Sequence, residues 1–214
     1  MEISFQLINL YFICYLSIYL IVHLPFDIGM IIKRGGANYP SPPFKNYIHA
    51  ISFIVPSILF WVYLLIMPVI TFIYQVDFYS FQPLNFVPLT IKFIIQIIGF
   101  IIMSLGLLID SLGRIGRGFF LKYNKAKVSK SWGHAIVRHP SYLHYIVSFI
   151  ALPLITFNPV LLFFEFGIYG YLKVTETEEE ALVDYFGEEY RDYMSKVGKL
   201  FPKIRKNRKE IRSK

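Results

Sequence analysis

The chain has 214 residues, 55% of them hydrophobic and only 17% charged. A soluble domain of this length carries about 25% charge; the mean hydropathy of +0.50 comes from long apolar runs, so the composition indicates membrane helices and excludes an ordinary soluble domain. The net charge of +8 flanks those runs without any nucleic-acid motif, which points to anionic lipid headgroups and away from nucleic acid.

Residues 3 to 24 form the first predicted span, ended by Pro25. The run is long enough to cross a bilayer. It lacks a basic start and a small-residue cleavage site, so a span is expected and not a signal peptide. It holds the single cysteine, Cys14, which cannot form an intrachain disulfide and is expected to be a buried structural thiol. The Gly- and Pro-rich stretch 25 to 46 reads as a loop. Residues 47 to 75 form the second span, with kinks expected at Pro56 and Pro68. A short connection at 76 to 88 leads to the third span, 89 to 110, with Lys92 near its start where its stem can snorkel.

The segment 113 to 140 is the most basic internal stretch, with Arg114, Arg117, Lys122, Lys125, Lys127, Lys130 and Arg138. Pro140 suits the first turn of a helix, where a missing amide hydrogen costs nothing. Two apolar runs follow, 141 to 157 and 159 to 174, separated by Asn158-Pro159. They predict a tight helical hairpin. Each arm is roughly 24 Å as an α-helix, short of a ~30 Å hydrocarbon core. Beyond 175 the chain turns polar. Thr175 with Glu178, and Thr177 with Glu180, fit a capping box. Leu182, Phe186, Tyr190, Tyr193 and Val197 recur at helical spacing and predict an apolar stripe lying against the bundle or the membrane face. These elements describe an all-α, polytopic membrane helix bundle of about five spans, with a C-terminal helical hairpin and an amphipathic cytosolic tail. Three regions follow: residues 1–112 with three spans, 113–202 with the basic loop, hairpin and acidic helix, and a basic tail at 203–214.

Alternating five spans across a bilayer puts three, seven and eleven Lys or Arg in the segments 25–46, 113–140 and 173 onward, all on one side; that is 21 of 22. The positive-inside rule then predicts the N-terminus outside and the C-terminus in the cytosol. The hairpin has a further consequence. It returns the chain to the side it left, so Arg138-His139-Pro140-Ser141-Tyr142 and Glu178-Glu179-Glu180 meet at one membrane surface. Either cluster alone reads as an interface anchor or a solvated first turn.

Their joint pattern is more specific. Arg138-His139-Pro140-Ser141-Tyr142, a hairpin, then Glu178-Glu179 with Leu182, Phe186-Gly187, Tyr190 and Tyr193 resembles the isoprenylcysteine carboxyl methyltransferase family, over roughly residues 113 to 202. The resemblance implies an integral membrane methyltransferase using S-adenosylmethionine. It implies cofactor contacts from His139, Pro140, Ser141, Tyr142 and Glu178, with Glu179 beside it, and from the segment Ala126 to Ser129, which includes Val128 and Ser129. Two departures stand out. Trp132-Gly133-His134 occupies the place of the family's Gly-x-Tyr, making His134 the substitute cofactor contact. Val174 stands where the family places a substrate-handling Arg, leaving neighbouring Lys173 as the substrate-binding residue.

The expected chemistry is compatible with these residues. Glu178 and nearby aromatic faces can stabilise a sulfonium. Arg138 can clamp a carboxylate acceptor bidentately; an amine acceptor would need His134 or His139 as base. Arg138 and Glu178 are therefore the expected catalytic pair. The expected acceptor is a lipophilic small molecule or prenylated substrate entering from the bilayer, most of all an isoprenylcysteine-like carboxylate. Membrane sterol reductases share a related C-terminal region, but a nicotinamide cofactor carries phosphates, and the cluster Glu176, Glu178, Glu179 and Glu180 disfavours them. A third reading is a scaffold whose basic tail grips anionic lipid. The glycines 113, 116 and 118 follow no strand, so helix packing is expected of them and not nucleotide binding. No metal spacing links the histidines. Glu165, inside an apolar run, is expected to have a partner facing the bundle.

Overall fold

The computed structural model describes residues 3–32, 44–84, 86–123 and 128–203. Seven α-helices follow in order: α1 (Phe5–Ile32), α2 (Tyr47–Tyr74), α3 (Leu89–Tyr123), α4 (Gly133–Ile136), α5 (Pro140–Thr156), α6 (Phe166–Phe186) and α7 (Glu188–Lys196). Among the described residues there is no strand, only one isolated parallel bridge between Val137 and Gly198. Among the described residues three helices are long and apolar enough to cross a membrane, over Phe5–Phe26, Tyr47–Tyr74 and Leu89–Gly118; the shorter α5 is also apolar. The fold is a membrane helix bundle.

Several boundaries differ from the sequence reading. Helix α1 runs on through Pro25 to Ile32, because the ring removes one backbone donor while the apolar run continues on both sides. Its buried face is Ile8, Phe12 and Tyr15, spaced four and three apart, so Cys14 falls off that stripe and is exposed instead of buried. Helix α2, by contrast, matches the predicted second span as one helix that carries Pro56 and Pro68. Helix α3 extends to Tyr123, so the first third of the expected basic loop is helical and the 112/113 boundary lies within one helix.

The hairpin is present, with a different second arm. Phe157 (φ 50°) ends α5 in the left-handed region, and Asn158 Oδ1 accepts from the Val160 amide at 3.1 Å. Pro159–Glu165 is then a 3-10 helix that hands over to α6. A 3-10 turn rises about 2.0 Å per residue, so the arm from 159 to 174 reaches roughly 27 Å and recovers most of the expected shortfall. Glu165 is exposed at the junction of the two helical forms. No helix starts at Thr175 or Thr177, because α6 is already under way. Their hydroxyls donate backward to the carbonyls of Leu172 and Val174, so neither capping box exists.

The tightest packing is between α3 and α5. Gly99, Gly106 and Gly113 recur every seven residues, which places them on one face of α3. A Cβ at each would lie 2.9 Å from Ile155, 2.4 Å from Val147 and 2.8 Å from Pro140. Small residues are what permit this approach when lipid removes the hydrophobic drive between helices. Gly116 likewise meets Trp132, so these glycines serve packing, as the absence of a preceding strand suggested.

Gly133 carries the same constraint to the start of α4. A Cβ there would sit 2.4 Å from the Gly113 nitrogen and 2.5 Å from the Ile109 oxygen. Both are backbone atoms, so no side chain can yield. Gly133→Ala is expected to destabilise the protein by about 1–3 kcal/mol, the usual cost of overpacking, measured as a shift in the unfolding midpoint in detergent.

Candidate functional site

The site is built where the chain passes from α3 to α5. After α4, the segment Val137–His139 runs extended against the strand-like piece that follows α7. The Arg138 amide donates to the Gly198 oxygen at 2.9 Å and the His139 amide to the Lys199 oxygen at 3.2 Å. Pro140 then opens α5 at its first turn. The C-terminal piece thus holds two of the motif's residues in place before the helix begins.

An ionic cluster fills the space between this segment and α6. His139 Nδ1 lies 3.3 Å from Glu178 Oε2, and His139 Nε2 lies 3.1 Å from Glu179 Oε1. A carboxylate lies beside each ring nitrogen, which favours the protonated ring. Burial opposes that charge, but Glu178 and Glu179 outweigh it and raise the pKa. Glu179 answers in kind. Burial raises its carboxyl, yet His139 and Arg138 dominate and bring it down to about 2. Lys199 Nζ adds a third cation 3.3 Å from Glu179 Oε2.

Arg138 is fully engaged. Its Nε and Nη2 each lie 2.7 Å from Glu179 Oε1, and Nη1 donates to the carbonyls of Met194 and Val197. The sequence reading gave this guanidinium a substrate carboxylate to clamp. In the structure its nitrogens hold α6 and the C-terminal end of α7 together, because those carbonyls are the orphan acceptors of a helix end.

Beside the cluster opens a cleft of about 490 Å³, counting space open to solvent, lined by Arg117, Val128, Ser129, His134, Arg138, His139, Glu178, Leu182, Phe186, Tyr190 and Tyr193. Three buried polar atoms in this lining lack an aligned hydrogen-bond partner: Ser129 Oγ, His134 Nδ1 and Glu178 Oε2. The last is within ion-pair distance of His139, but no donor points at it. Native proteins leave few such atoms, so three around one cleft mark a place for a polar ligand. Burial first, then Arg117 and His139, lower the His134 pKa to about 4, so this ring is neutral near pH 7. Burial raises Glu178, but the nearby His139 and Tyr142 outweigh it and keep it a carboxylate.

Six of the sequence-predicted residues meet at this cleft: Val128, Ser129, His134, Arg138, His139 and Glu178. Others stand behind it. Tyr142 stacks on His139 with ring centroids 5.4 Å apart and 4° between planes. Pro140 is buried against Gly113, and Ser141 donates to Asp110 Oδ1 at 2.6 Å. Glu179 is buried on the far side of His139 from the cleft-facing Glu178 (8% against 28% side-chain exposure). Lys173 is not brought to the cleft: it pairs with Glu176 at 2.9 Å on the outer face of α6, while Val174 turns inward and is buried. Ala126 and Lys127 lie outside the described residues.

Sequence reasoning missed the cleft role of the apolar stripe. Leu182, Phe186, Tyr190 and Tyr193 were expected to pack on the bundle or membrane. They form one wall of the cleft, because the left-handed Gly187 (φ 57°) breaks the helix and folds α7 back over the site. The signal was the Phe-Gly pair inside the stripe. Asp110 was missed altogether; an isolated acid at the end of an apolar run was the available sign.

The residue types suit S-adenosylmethionine. Glu178 and the rings of Phe186, Tyr190 and Tyr193 can face a cation, and the orphaned Ser129 and His134 atoms can take polar groups. No family model matches the chain. It does match curated proteins named methanethiol S-methyltransferase. It is 40% identical over 74 residues to that of Pseudomonas deceptionensis, covering 35% of this chain and 28% of the relative. It is 41% identical over 69 residues to methanethiol S-methyltransferase 1 of Bradyrhizobium diazoefficiens (32% and 24%), and 40% identical over 67 residues to that of Mycobacterium tuberculosis (31% and 27%). The chain resembles membrane methyltransferases. That resemblance agrees with the family read from the motif, and it spans less than a third of the length of these relatives.

The ionic cluster makes a checkable demand on stability. Glu179→Gln leaves Arg138 and His139 buried without their shared anion, and is expected to cost about 3–5 kcal/mol. Because the native Glu179 carboxyl is depressed to about 2, its contribution is complete above the unfolded carboxyl pKa of about 4.3 and fades as pH falls toward 2. Unfolding midpoints of the wild type and the variant, measured in detergent, should differ most at pH 5 to 7, by less at pH 3, and converge only as pH falls to about 2.

Proposed function

We propose that this protein is an integral membrane methyltransferase that uses S-adenosylmethionine and transfers the methyl group to the sulfur of a small or lipophilic thiol. The main support is Glu178: a half-buried, ionised carboxylate whose buried Oε2 lacks an aligned donor, facing an aromatic-walled cleft. A sulfonium is the cofactor feature that such a carboxylate matches. The names of the similar proteins support sulfur as the acceptor atom. Arg138, the guanidinium expected to clamp a carboxylate acceptor, is engaged instead by Glu179 and two backbone carbonyls.

S-adenosylmethionine, when bound, supplies a methyl group on a positively charged sulfur. Glu178 would hold that charge near the cleft mouth, and His139, fixed between two carboxylates, would hold Glu178. Leu182, Phe186, Tyr190 and Tyr193 would exclude water, which favours a soft nucleophile over hydrolysis. A thiol must lose its proton as the new sulfur–carbon bond forms and the old one breaks. The thiolate is the nucleophile, so that proton leaves to solvent. His134, neutral with an unpartnered Nδ1 and a pKa of about 4, is too weak a base to take it and would instead accept a hydrogen bond that orients the incoming thiol. The acceptor would enter from the bilayer, with the site on the cytosolic side, the N-terminus outside, and the basic tail against anionic headgroups. The support for that arrangement is the one-sided distribution of Lys and Arg.

Carboxyl methylation of an isoprenylcysteine-like substrate is the second reading, favoured by the motif of residues 138 to 193. Calorimetry on the detergent-solubilised chain tests the shared part: S-adenosylhomocysteine should bind and a nicotinamide dinucleotide should not. The reverse result would transfer the chain to the reductases, and binding of neither would leave a scaffold. Glu178→Gln should weaken S-adenosylmethionine about tenfold or more, the scale of a charged hydrogen bond, and S-adenosylhomocysteine, which lacks the sulfonium charge, much less. Labelled cofactor offered with methanethiol, longer thiols and prenylcysteines then separates the acceptors. His134→Leu should raise the KM of the thiol roughly tenfold, the scale of one lost hydrogen bond, with little change in kcat. In the wild type kcat/KM should rise as pH climbs through about 4, where His134 loses its proton and can accept that bond.

A further inference from the structure

Beneath the cleft lies a second polar chain that the proposed chemistry does not use. Asp110 on α3 and His23 on α1 are 1% and 2% exposed, inside helices that cross the membrane. An acid in that setting defaults to function. His23 Nδ1 is 3.0 Å from the Tyr19 carbonyl oxygen, and His23 Nε2 is 3.1 Å from Asp110 Oδ2. A carbonyl only accepts, so Nδ1 carries a hydrogen. The contact at Nε2 then needs a second proton, on the ring or on the carboxyl. In both cases the pair is neutral as a whole and the bond persists. Tyr19 stacks on His23 with centroids 4.0 Å apart and 11° between planes, which fixes the ring.

The other oxygen of Asp110 accepts from Ser141 Oγ at 2.6 Å. Ser141 is the second residue of α5, between Pro140 and Tyr142, and Tyr142 is stacked on His139. One turn beyond Asp110, Gly113 packs against Pro140. The glycine contact sets how close α3 and α5 come, but it has no direction. The Asp110–Ser141 bond has direction and fixes the rotation of the first turn of α5. The chain His23–Asp110–Ser141 therefore links α1, at the far end of the sequence, to the turn that carries the cleft's imidazolium.

We infer that His23, Asp110 and Ser141 are positioning residues for the cofactor cleft: the buried pair orients the first turn of α5 through the Ser141 hydroxyl, and Ser141 acts through Asp110 and not by touching the cofactor. The inference rests on the S-adenosylmethionine reading above. It gives the first span a part in the site beyond filling the bundle.

The test is a double-mutant cycle on the full chain in detergent, read as S-adenosylhomocysteine affinity by calorimetry. Ser141→Ala should weaken binding roughly tenfold, the scale of a hydrogen bond to a charged group, and Ser141→Thr, which keeps the hydroxyl, should restore it. Asp110→Asn should weaken binding to a similar degree, and the double variant should be no weaker than Asp110→Asn alone, because both cut the same link. Losses that multiply in the double variant would overturn the inference, as would full affinity in Ser141→Ala. If Asp110→Asn does not fold, the Ala and Thr variants of Ser141, which keep the buried pair, decide it alone. Hydrogen exchange at the amides of residues 143 to 146 gives a readout without ligand: faster in Ser141→Ala and native-like in Ser141→Thr. If the native chain binds no S-adenosylhomocysteine, the functional reading falls, while unchanged exchange in Ser141→Ala would refute the positioning role by itself.

Discussion

The close approach of α3 and α5 is the constraint on which the site depends. A glycine every seventh residue lets the two backbones come nearer than any side chain would allow. At that distance Asp110 reaches Ser141, Gly113 receives Pro140, and Gly133 lies on the backbone of α3. The segment bearing Arg138 and His139 is therefore set on a rigid helix instead of hanging in a loop. In lipid, where apolar contact between helices gains little over apolar contact with acyl chains, this sort of packing and a few buried polar bonds carry the specificity.

On that base the ionic cluster closes the site from the other side. Glu179 gathers Arg138, His139 and Lys199, which come from two separate parts of the chain. Each of those charges would be costly alone, and together they are mutually paired. The neighbouring Glu178 is built differently. It touches the same imidazolium but keeps an oxygen toward the cleft. Two adjacent residues of one helix thus divide the work: one is satisfied by the fold, the other is left to meet a ligand. The 100° step between neighbours on an α-helix is what separates them.

Much of this was legible before any coordinates. Periodicity and hydropathy located the spans, and the His139 and Glu178 clusters were placed at one surface by the hairpin between them. The misses have specific physical causes. Thr175 and Thr177 looked like caps because a cap is recognised by local pattern, whereas α6 had begun nine or more residues earlier and the hydroxyls bonded backward. Lys173 seemed a substitute for an arginine one position on, but the helix turned it outward to Glu176. Arg138 seemed free to grip a substrate because the carbonyls of Met194 and Val197, which it satisfies, are more than fifty residues away.

The sequence by itself determined the elements, the all-α membrane class and the identity of the residues at the cleft's polar side. These follow from local rules: the spacing of apolar residues, the position of prolines and the joint motif. Tertiary structure alone decided which polar groups were spent on the fold and which were left open. Glu178, Ser129 and His134 keep unsatisfied atoms, while Arg138 and Glu179 do not. That difference depends on long-range partners, because a buried hydrogen bond is defined by both of its ends, and sequence displays only one end at a time.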